Sequence, residues 1–393
     1  MKITAIEIKH YLLPLEPPFK AAWDPLPRRK FAATIVRVNT DEGISGTGSG
    51  DSMLGLAGHE HLFIGQDPFA IERHWQVLDN IDFHYGRCWP LDIALWDIMA
   101  KASGQSIARL LGAKKFKILA YASTGEMLAP RARVERTQKL LEQGFKALKI
   151  RFHHPDPRED IKAVESVRKA VGDSLKIMVD ANQGWKMPWD TGVPWDFERA
   201  YQVAKALEHL NIYWLEEPLP HYDFRGLARL RRKTEIRIAG GEMNRRWHDF
   251  KEMNTLGSLD VYQPDVVLTG GITGVKQIAG WVQNKGAWFS PHTWSNGIGL
   301  MANLHLACAV SQCPFLEFPF DPPAWTAERR DYMLHPQDHL MIDKEGYLHV
   351  PDKPGLGCEL DEKALSRYEV NAVSIGNTQR RTSNESRQPR FGH

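Results

Sequence analysis

The sequence has almost no net charge, no paired cysteines and no long apolar run, and each absence removes a class of function. Lys plus Arg number 50 against 48 for Asp plus Glu, a net charge of +2, so no broad field exists to hold a nucleic acid or an anionic membrane. Cys88, Cys308, Cys313 and Cys358 form no C-x-x-C pair and no dense framework; they read as buried thiols in a reducing cytoplasm. No stretch approaches about 18 uninterrupted apolar residues, and the opening MKITAIEIKHYLLPL alternates like a strand instead of carrying an apolar segment with a cleavage site. Neither export nor membrane insertion is expected. What remains is a chain of 393 residues with 42% hydrophobic content. That is enough for a large core and more than one domain usually holds, so two packed domains and small-molecule chemistry are the expectation.

Residues 1 to about 50 read as strands, with Ile3, Ile6, Ile8, Phe31, Thr34, Val36 and Val38 in extended patterns around the Pro-rich PLEPPFKAAWDPLPRRK, a lid candidate near 16–30. From Pro90, Leu91, Ala94, Leu95 and Ile98 recur at helical spacing, and Gly104 allows a break before a second helix, SIARLLG. Residues 1–115 are thus an α+β domain. From 116 to 330 short apolar strands alternate with amphipathic helices: ILAYAST, ALKIRF, LKIMVDA, IYWLEEP, IRIAGGE, DVYQPDV, AWFSPH and FLEF are the strands, and helices are expected near 132–143, 159–171, 197–209, from Gly271 and through MANLHLACAV. Such alternation predicts an α/β fold, a (β/α)-barrel whose site lies where strands end. Lys149, Arg151, Asp180, Asn182, Glu216, Glu217, Glu242, Asp265, His292 and Glu317 fall at those ends and are expected to converge on one mouth. Residues 331–370 then read as a segment packing on the first domain, and 371–393 as a polar tail.

Asp180, Glu216 and Glu242 each follow an apolar strand and are spaced 36 and 26 residues apart, each gap fitting one strand-helix unit. Singly, any of them could cap a helix or pair with a lysine. Three in register would repel unless a cation neutralised them, and an all-oxygen set favours a hard ion such as Mg²⁺ over Zn²⁺.

At this point the chain resembles the mandelate racemase and muconate lactonizing group of the enolase superfamily, from PLDIALWDIMAKASGQSIARLLG to the PGLG near residue 355. The resemblance implies a modified barrel capped by the α+β N-terminal domain, with the C-terminal segment returning to that cap. It implies Asp180, Glu216 and Glu242 as Mg²⁺ ligands, Lys149 as the first member of a strand-2 lysine pair, and Asp265 with His292 as a dyad. Glu317 matches an acid that donates a hydrogen bond to the substrate carboxylate, and Asn182 a substrate contact. A homo-oligomer acting on a small carboxylate is implied as well. The chemistry needs these groups because a carbon acid beside a carboxylate becomes dianionic on deprotonation, and Mg²⁺ with Lys149 would stabilise the enediolate. His292 would move the proton while Asp265 fixes its tautomer. His305, lacking such context, reads as a packing residue.

One position departs from the pattern. Relatives usually carry Lys-x-Lys, whereas this chain has Lys149-Ile150-Arg151, and a guanidinium keeps its proton at physiological pH. A two-base racemase is therefore disfavoured, and Arg151 serves either the substrate or a salt bridge to Asp180 or Glu317. One competent base with a metal best fits loss of water from an acid sugar to give a 2-keto-3-deoxy acid, with a sugar-lactone cycloisomerase or epimerase as the alternative and a non-catalytic anion-binding protein as a remote one. Phe19, Trp23, Arg28 and Arg29 of the lid, with Trp294, are expected to close the pocket, although Trp294 could equally be packing.

Overall fold

The alternating N-terminal run forms an antiparallel sheet of β1 (Ile3–Phe19), β2 (Arg28–Thr40) and β3 (Ser45–Gly50), to which β13 (Glu369–Gly376) returns beside β1. The computed structural model describes residues 1–50 and 52–376; most of the predicted tail, 377–393, lies outside the described residues, while 371–376 belong to β13. Helices α1 (Ile71–His84), α2 (Pro90–Ala102) and α3 (Ile107–Leu110) complete the cap. The glycines of β3 explain how closely α2 lies on the sheet. A Cβ on Gly46 would stand 2.0 Å from the carbonyl oxygen of Ala94, and one on Gly48 would stand 1.8 Å from that of Pro90. No other residue permits that approach.

Eight parallel strands follow: β4 (Lys117–Ser123), β5 (Ala147–Arg151), β6 (Lys176–Asp180), β7 (Ile212–Glu216), β8 (Ile238–Gly240), β9 (Val261–Tyr262), β10 (Trp288–Phe289) and β11 (Leu316–Pro319). They are ordered β11-β4-β5-β6-β7-β8-β9-β10, with the short β12 (Tyr347–His349) antiparallel to β4. Around them lie α4 (Pro130–Glu142), α5 (Pro157–Val171), α6 (Phe197–Glu208), α7 (Phe224–Lys233), α8 (Trp247–Leu256), α9 (Val266–Thr269), α10 (Gly271–Asn284) and α11 (Gly297–Ala309). Asp156, Asp196, Asp223 and Asn296 accept backbone N–H groups at the starts of α5, α6, α7 and α11, which satisfies donors the first turn leaves open. This is the modified (β/α)-barrel with an α+β cap that the sequence leads one to expect.

Side chains on a strand alternate faces, so residues two apart point the same way. Inside the barrel, Tyr121, Ala147, Met178, Trp214, Ala239, Val261 and Phe315 form one buried apolar cluster. Two residues further along four of those strands stand Ser123, Lys149, Asp180 and Glu216, and two beyond Phe315 stands Glu317, all buried. The apolar layer is the floor of the site: it closes the barrel to water below and leaves the charged layer at the strand ends.

Cap and barrel are tied by polar contacts as well as packing. Trp96 Nε1 of α2 donates to Thr273 Oγ1 of α10 at 2.8 Å, and Asp92 accepts from the Thr273 hydroxyl at 2.6 Å. On α11, His305 Nδ1 accepts from the backbone N–H of Ala108 at 3.1 Å while Nε2 meets the Leu356 carbonyl at 2.9 Å.

The stretch 16–30 is only partly a loop. Proline lacks the ladder N–H and is tolerated at sheet irregularities, and here β1 continues through Pro17 and Pro18 to Phe19, with the register shifting between Pro14 and Phe19. Phe19, Ala21, Ala22 and Trp23 are buried in the main core; the solvated part is short.

Candidate functional site

Strand register builds the centre of the site. In the ladders Arg151 lies beside Asp180 and Asp180 beside Glu216, while Glu242 follows two residues after β8. One oxygen from each of Asp180, Glu216 and Glu242 lies within 4.8 Å of the others. All three residues are buried, and Glu242 Oε2 has no hydrogen-bond partner. An oxygen-only set of this size, with a buried orphan acceptor, fits a hard divalent cation. These residues could hold a metal ion.

Two cations already answer part of the charge. Lys149 Nζ lies 2.5 Å from Glu216 Oε1, 2.6 Å from Glu317 Oε1 and 3.4 Å from Asp180 Oδ2. Burial and Arg151 oppose its charge, yet the three carboxylates outweigh them and hold the ammonium above its ordinary pKa. Arg151 pairs through Nη1 with Asp180, and its other donors reach the Thr124 carbonyl at 2.9 Å, Asn182 Oδ1 at 3.3 Å and Ser123 Oγ at 3.3 Å. Burial pushes Glu216 up to about 8 despite Lys149, with Asp180, Glu317 and Glu242 adding to the rise. The acids outnumber the cations.

The possible proton carrier stands next to this cluster. His292 Nδ1 lies 2.9 Å from Asp265 Oδ2, leaving Nε2 3.8 Å from Glu242 Oε2 and 4.0 Å from Glu317 Oε2. Asp265 divides its oxygens between two tasks: Oδ1 accepts from the Val267 N–H at the start of α9 and from Asn303 Nδ2, both at 2.9 Å, and Oδ2 serves the imidazole. Burial opposes charge on His292, but Glu242, Glu317 and Asp265 together raise it to about 9. Glu317 behaves oppositely. Burial resists its ionisation, yet Lys149, His292 and Arg151 pull it down to about 2, and it accepts from Ser123 Oγ at 2.7 Å and the Thr293 N–H at 2.8 Å. In this state Glu317 is an acceptor with no proton to donate.

A cavity of about 300 Å³ opens above these groups, lined among others by Arg151, Asn182, Glu242 and His292. Asn182 adopts a left-handed backbone with φ 47°, and its Nδ2 is buried without a partner, leaving a donor for a ligand. Of the expected lid residues, Phe19, Trp23, Arg28 and Trp294 line the cavity, whereas Arg29 is exposed and is not among the lining residues. Trp294 stacks on Phe19 with ring centroids 5.6 Å apart and donates to Ser123 Oγ at 2.8 Å. The Arg151 guanidinium carbon stands 4.6 Å from the Trp23 ring centre and 5.7 Å from that of Trp294, so aromatic residues from cap and barrel cover the strand-2 cation. Lys149 lies beneath, outside the lining.

Sequence reasoning passed over several contributors. Trp185 Nε1 holds Glu242 Oε1 at 2.9 Å and Gln263 Nε2 holds Glu216 Oε2 at 2.8 Å, while Ser123, Thr293 and Asn303 orient Glu317 and Asp265. Ser123 was within reach, standing at the end of a barrel strand like the rest. The other partners are set by long-range packing. Trp189 also bridges to the lid, donating to Asp24 Oδ1 at 3.2 Å.

Comparison with known proteins agrees with the geometry. Residues 3–112 match the "Mandelate racemase / muconate lactonizing enzyme, N-terminal domain" family and residues 132–364 the "Enolase C-terminal domain-like" family. The chain is 31% identical to an arabinonate dehydratase of Saccharolobus solfataricus over 79% of this chain and 81% of that one. It is 30% identical to a D-galactarolactone cycloisomerase of Agrobacterium fabrum over 94% and 99%. The crystal structure of an L-talarate dehydratase from Polaromonas sp. JS666, complexed with Mg and L-glucarate, superposes with a TM-score of 0.82 at 28% identity, covering 96% of this chain and all of that one.

Proposed function

The chain belongs to the mandelate racemase and muconate lactonizing group of the enolase superfamily, and from that premise we propose that it is a Mg²⁺-dependent dehydratase of acid sugars. The observation that carries the reading is the placing of a His–Asp pair against a three-carboxylate cluster, with His292 Nε2 3.8 Å from Glu242, inside a cavity large enough for a small carboxylate. Dehydratases of acid sugars among the relatives support it.

When bound, the divalent cation supplies positive charge against the substrate carboxylate and the charge that grows beside it, and offsets the Glu242 charge that holds His292 protonated. Asp180, Glu216 and Glu242 would hold it. His292 takes the C2 proton on Nε2 while Asp265 fixes the proton on Nδ1 and stabilises the imidazolium. The same imidazolium then protonates the departing C3 hydroxyl: the C2–H and C3–O bonds break, water leaves, and the enol relaxes to the 2-keto-3-deoxy acid. Arg151 and Lys149 act as fixed positive charges, Asn182 offers its free Nδ2 to the substrate, and the aromatic lid excludes water.

A second reading, cycloisomerisation of a sugar lactone, is favoured by the Agrobacterium relative, which matches 94% of the chain. One experiment separates them: incubate the protein with Mg²⁺ and a library of acid sugars and their lactones, scoring 2-keto acid formation and lactone loss. Mg²⁺-dependent keto acid from free acids supports dehydration. Lactone consumption with no reaction of free acids overturns it.

A further inference from the structure

The three carboxylates of the cluster are not held alike. Asp180 Oδ1 accepts from the Asn182 N–H at 2.8 Å, while Oδ2 faces Arg151 and Lys149. Glu216 has Lys149 on Oε1 at 2.5 Å, and Trp214 Nε1 and Gln263 Nε2 on Oε2 at 3.0 and 2.8 Å. Glu242 stands beyond the end of β8, and among the described residues its carboxylate takes a single hydrogen bond, from Trp185 Nε1 to Oε1 at 2.9 Å. Oε2 takes none. A glutamate side chain has many staggered rotamers and loses much freedom when fixed in one, so that one indole decides where the second oxygen points.

The indole can aim a carboxylate because its own backbone is fixed. Trp185 lies in the loop between β6 and α6. Just before it, the Gln183 N–H donates to the Glu217 carbonyl at 2.9 Å, and the Gly184 carbonyl accepts from the His221 N–H at 3.1 Å and meets Nδ1 of the same residue at 2.6 Å. Gln183 Oε1 accepts from the Trp195 N–H at 3.0 Å, which braces the far side of the loop. Gly184 has no room for a side chain, since a Cβ there would stand 2.2 Å from Glu217 Oε1. The loop is thus clamped to the end of β7, the strand that delivers Glu216, and carries its indole across to the acid that follows the neighbouring strand β8. We propose that Trp185 is a positioning residue of the metal centre: its N–H holds Oε1 of Glu242 aside and leaves Oε2 free for the cation. The proposal rests on the reading of the carboxylate cluster as a Mg²⁺ site and adds what fixes its least supported ligand. Hydrogen-bond partners behind a ligand govern metal affinity because they set its orientation before the ion arrives.

The test uses the full-length protein and the metal alone: Mg²⁺ by calorimetry, and Mn²⁺ by paramagnetic resonance where Mg²⁺ binds too weakly for heat to be read. Trp185→Phe keeps a ring in the loop and removes the donor, and it should weaken the cation about 10- to 100-fold with the fold intact by circular dichroism. Trp189→Phe cuts the tie from the same loop to Asp24 of the cap and should leave affinity within about threefold. In a Glu242→Gln background, Trp185→Phe should cost less than about threefold more, since no ligand remains at 242 to be aimed. An affinity of Trp185→Phe equal to that of the native protein overturns the proposal. So does an equal loss in Trp189→Phe, which makes loop packing the cause, or an undiminished loss in the Glu242→Gln background, which routes the effect past Glu242. Trp185→Met, whose flexible side chain fills irregular space without an N–H, takes the place of the phenylalanine variant if that one does not fold. A native protein that binds neither Mg²⁺ nor Mn²⁺ sinks the metal reading itself and this proposal with it, whereas failure of the tryptophan comparisons alone leaves that reading standing.

Discussion

His305 offers a stability test whose sign can be worked out in full. Its imidazole is buried, accepts from Ala108 N–H in the cap and meets the Leu356 carbonyl in the C-terminal segment, so it must be neutral with one proton on Nε2. Burial lowers its pKa from 6.5 to about 4, the Leu356 contact opposing only partly. Between those values the unfolded chain binds the proton and the folded chain refuses it. The stabilisation is therefore complete above about pH 6.5 and is lost as pH falls toward 4. At about 1.4 kcal/mol per decade, the loss is about 3 kcal/mol. His305→Asn cannot span both partners, leaving a buried backbone group unsatisfied at a cost of about 1–3 kcal/mol at neutral pH, but it does not titrate. Denaturant unfolding of both proteins from pH 7.5 to 4.5 should show the wild-type advantage shrinking and then vanishing as pH falls, since other titrating groups are common to both. A gap independent of pH would refute this account of the histidine.

The metal assignment predicts that Glu242→Gln and Glu216→Gln each weaken Mg²⁺ binding at least tenfold in calorimetry; unchanged affinity in both would exclude them as ligands. His292→Asn should lower kcat by about 10²- to 10⁴-fold while leaving Mg²⁺ affinity nearly intact, and loss of the metal instead would mean the imidazole is a ligand. In D₂O the native enzyme should act on only one C2 epimer, because Arg151 offers no second base; interconversion of epimers at a rate near that of dehydration would require one. Trp23→Ala removes a buried ring from both the core and the face of Arg151. A loss of about 3–5 kcal/mol in stability with a raised KM is expected, and an effect on neither would exclude a role for the ring in core or lid.

The strands of the barrel were legible because each pairs an apolar run with a polar end, and the structure shows why that pattern is so plain. On β5, Ala147, Lys149 and Arg151 all face inward, so one strand spells floor, first cation and second cation at period two. Helices were harder to read. In α7 only Leu227, Ala228 and Leu230 are buried, among four arginines and a lysine; the apolar residues fall on one face, but the helix is short and mostly charged, so little apolar content marks it in the sequence. The lid was misjudged in extent for a related reason: its prolines signal a turn, yet they interrupt a strand that continues to a core phenylalanine.

Which partner each site residue takes was the least legible part, and the physics of the charged layer explains it. Sequence spacing locates a residue at a strand end, but its protonation follows from the sum of its neighbours' fields. Glu216 and Glu317 both follow apolar strands, and both lie against Lys149. Yet burial among other acids holds Glu216 up near 8, whereas Lys149, His292 and Arg151 draw Glu317 down to about 2. The same residue type in sequence therefore gives one acid that burial among other acids holds against ionisation and one that is already an acceptor. Arg151 fits this balance. A lysine at that position could give up its proton and become a base; the arginine cannot, so the layer keeps a permanent charge there and Trp23 can close over it. An arginine at that position both withholds a second base and keeps a cation under the lid, and within the proposed function this favours elimination from one face of the substrate over racemisation between two.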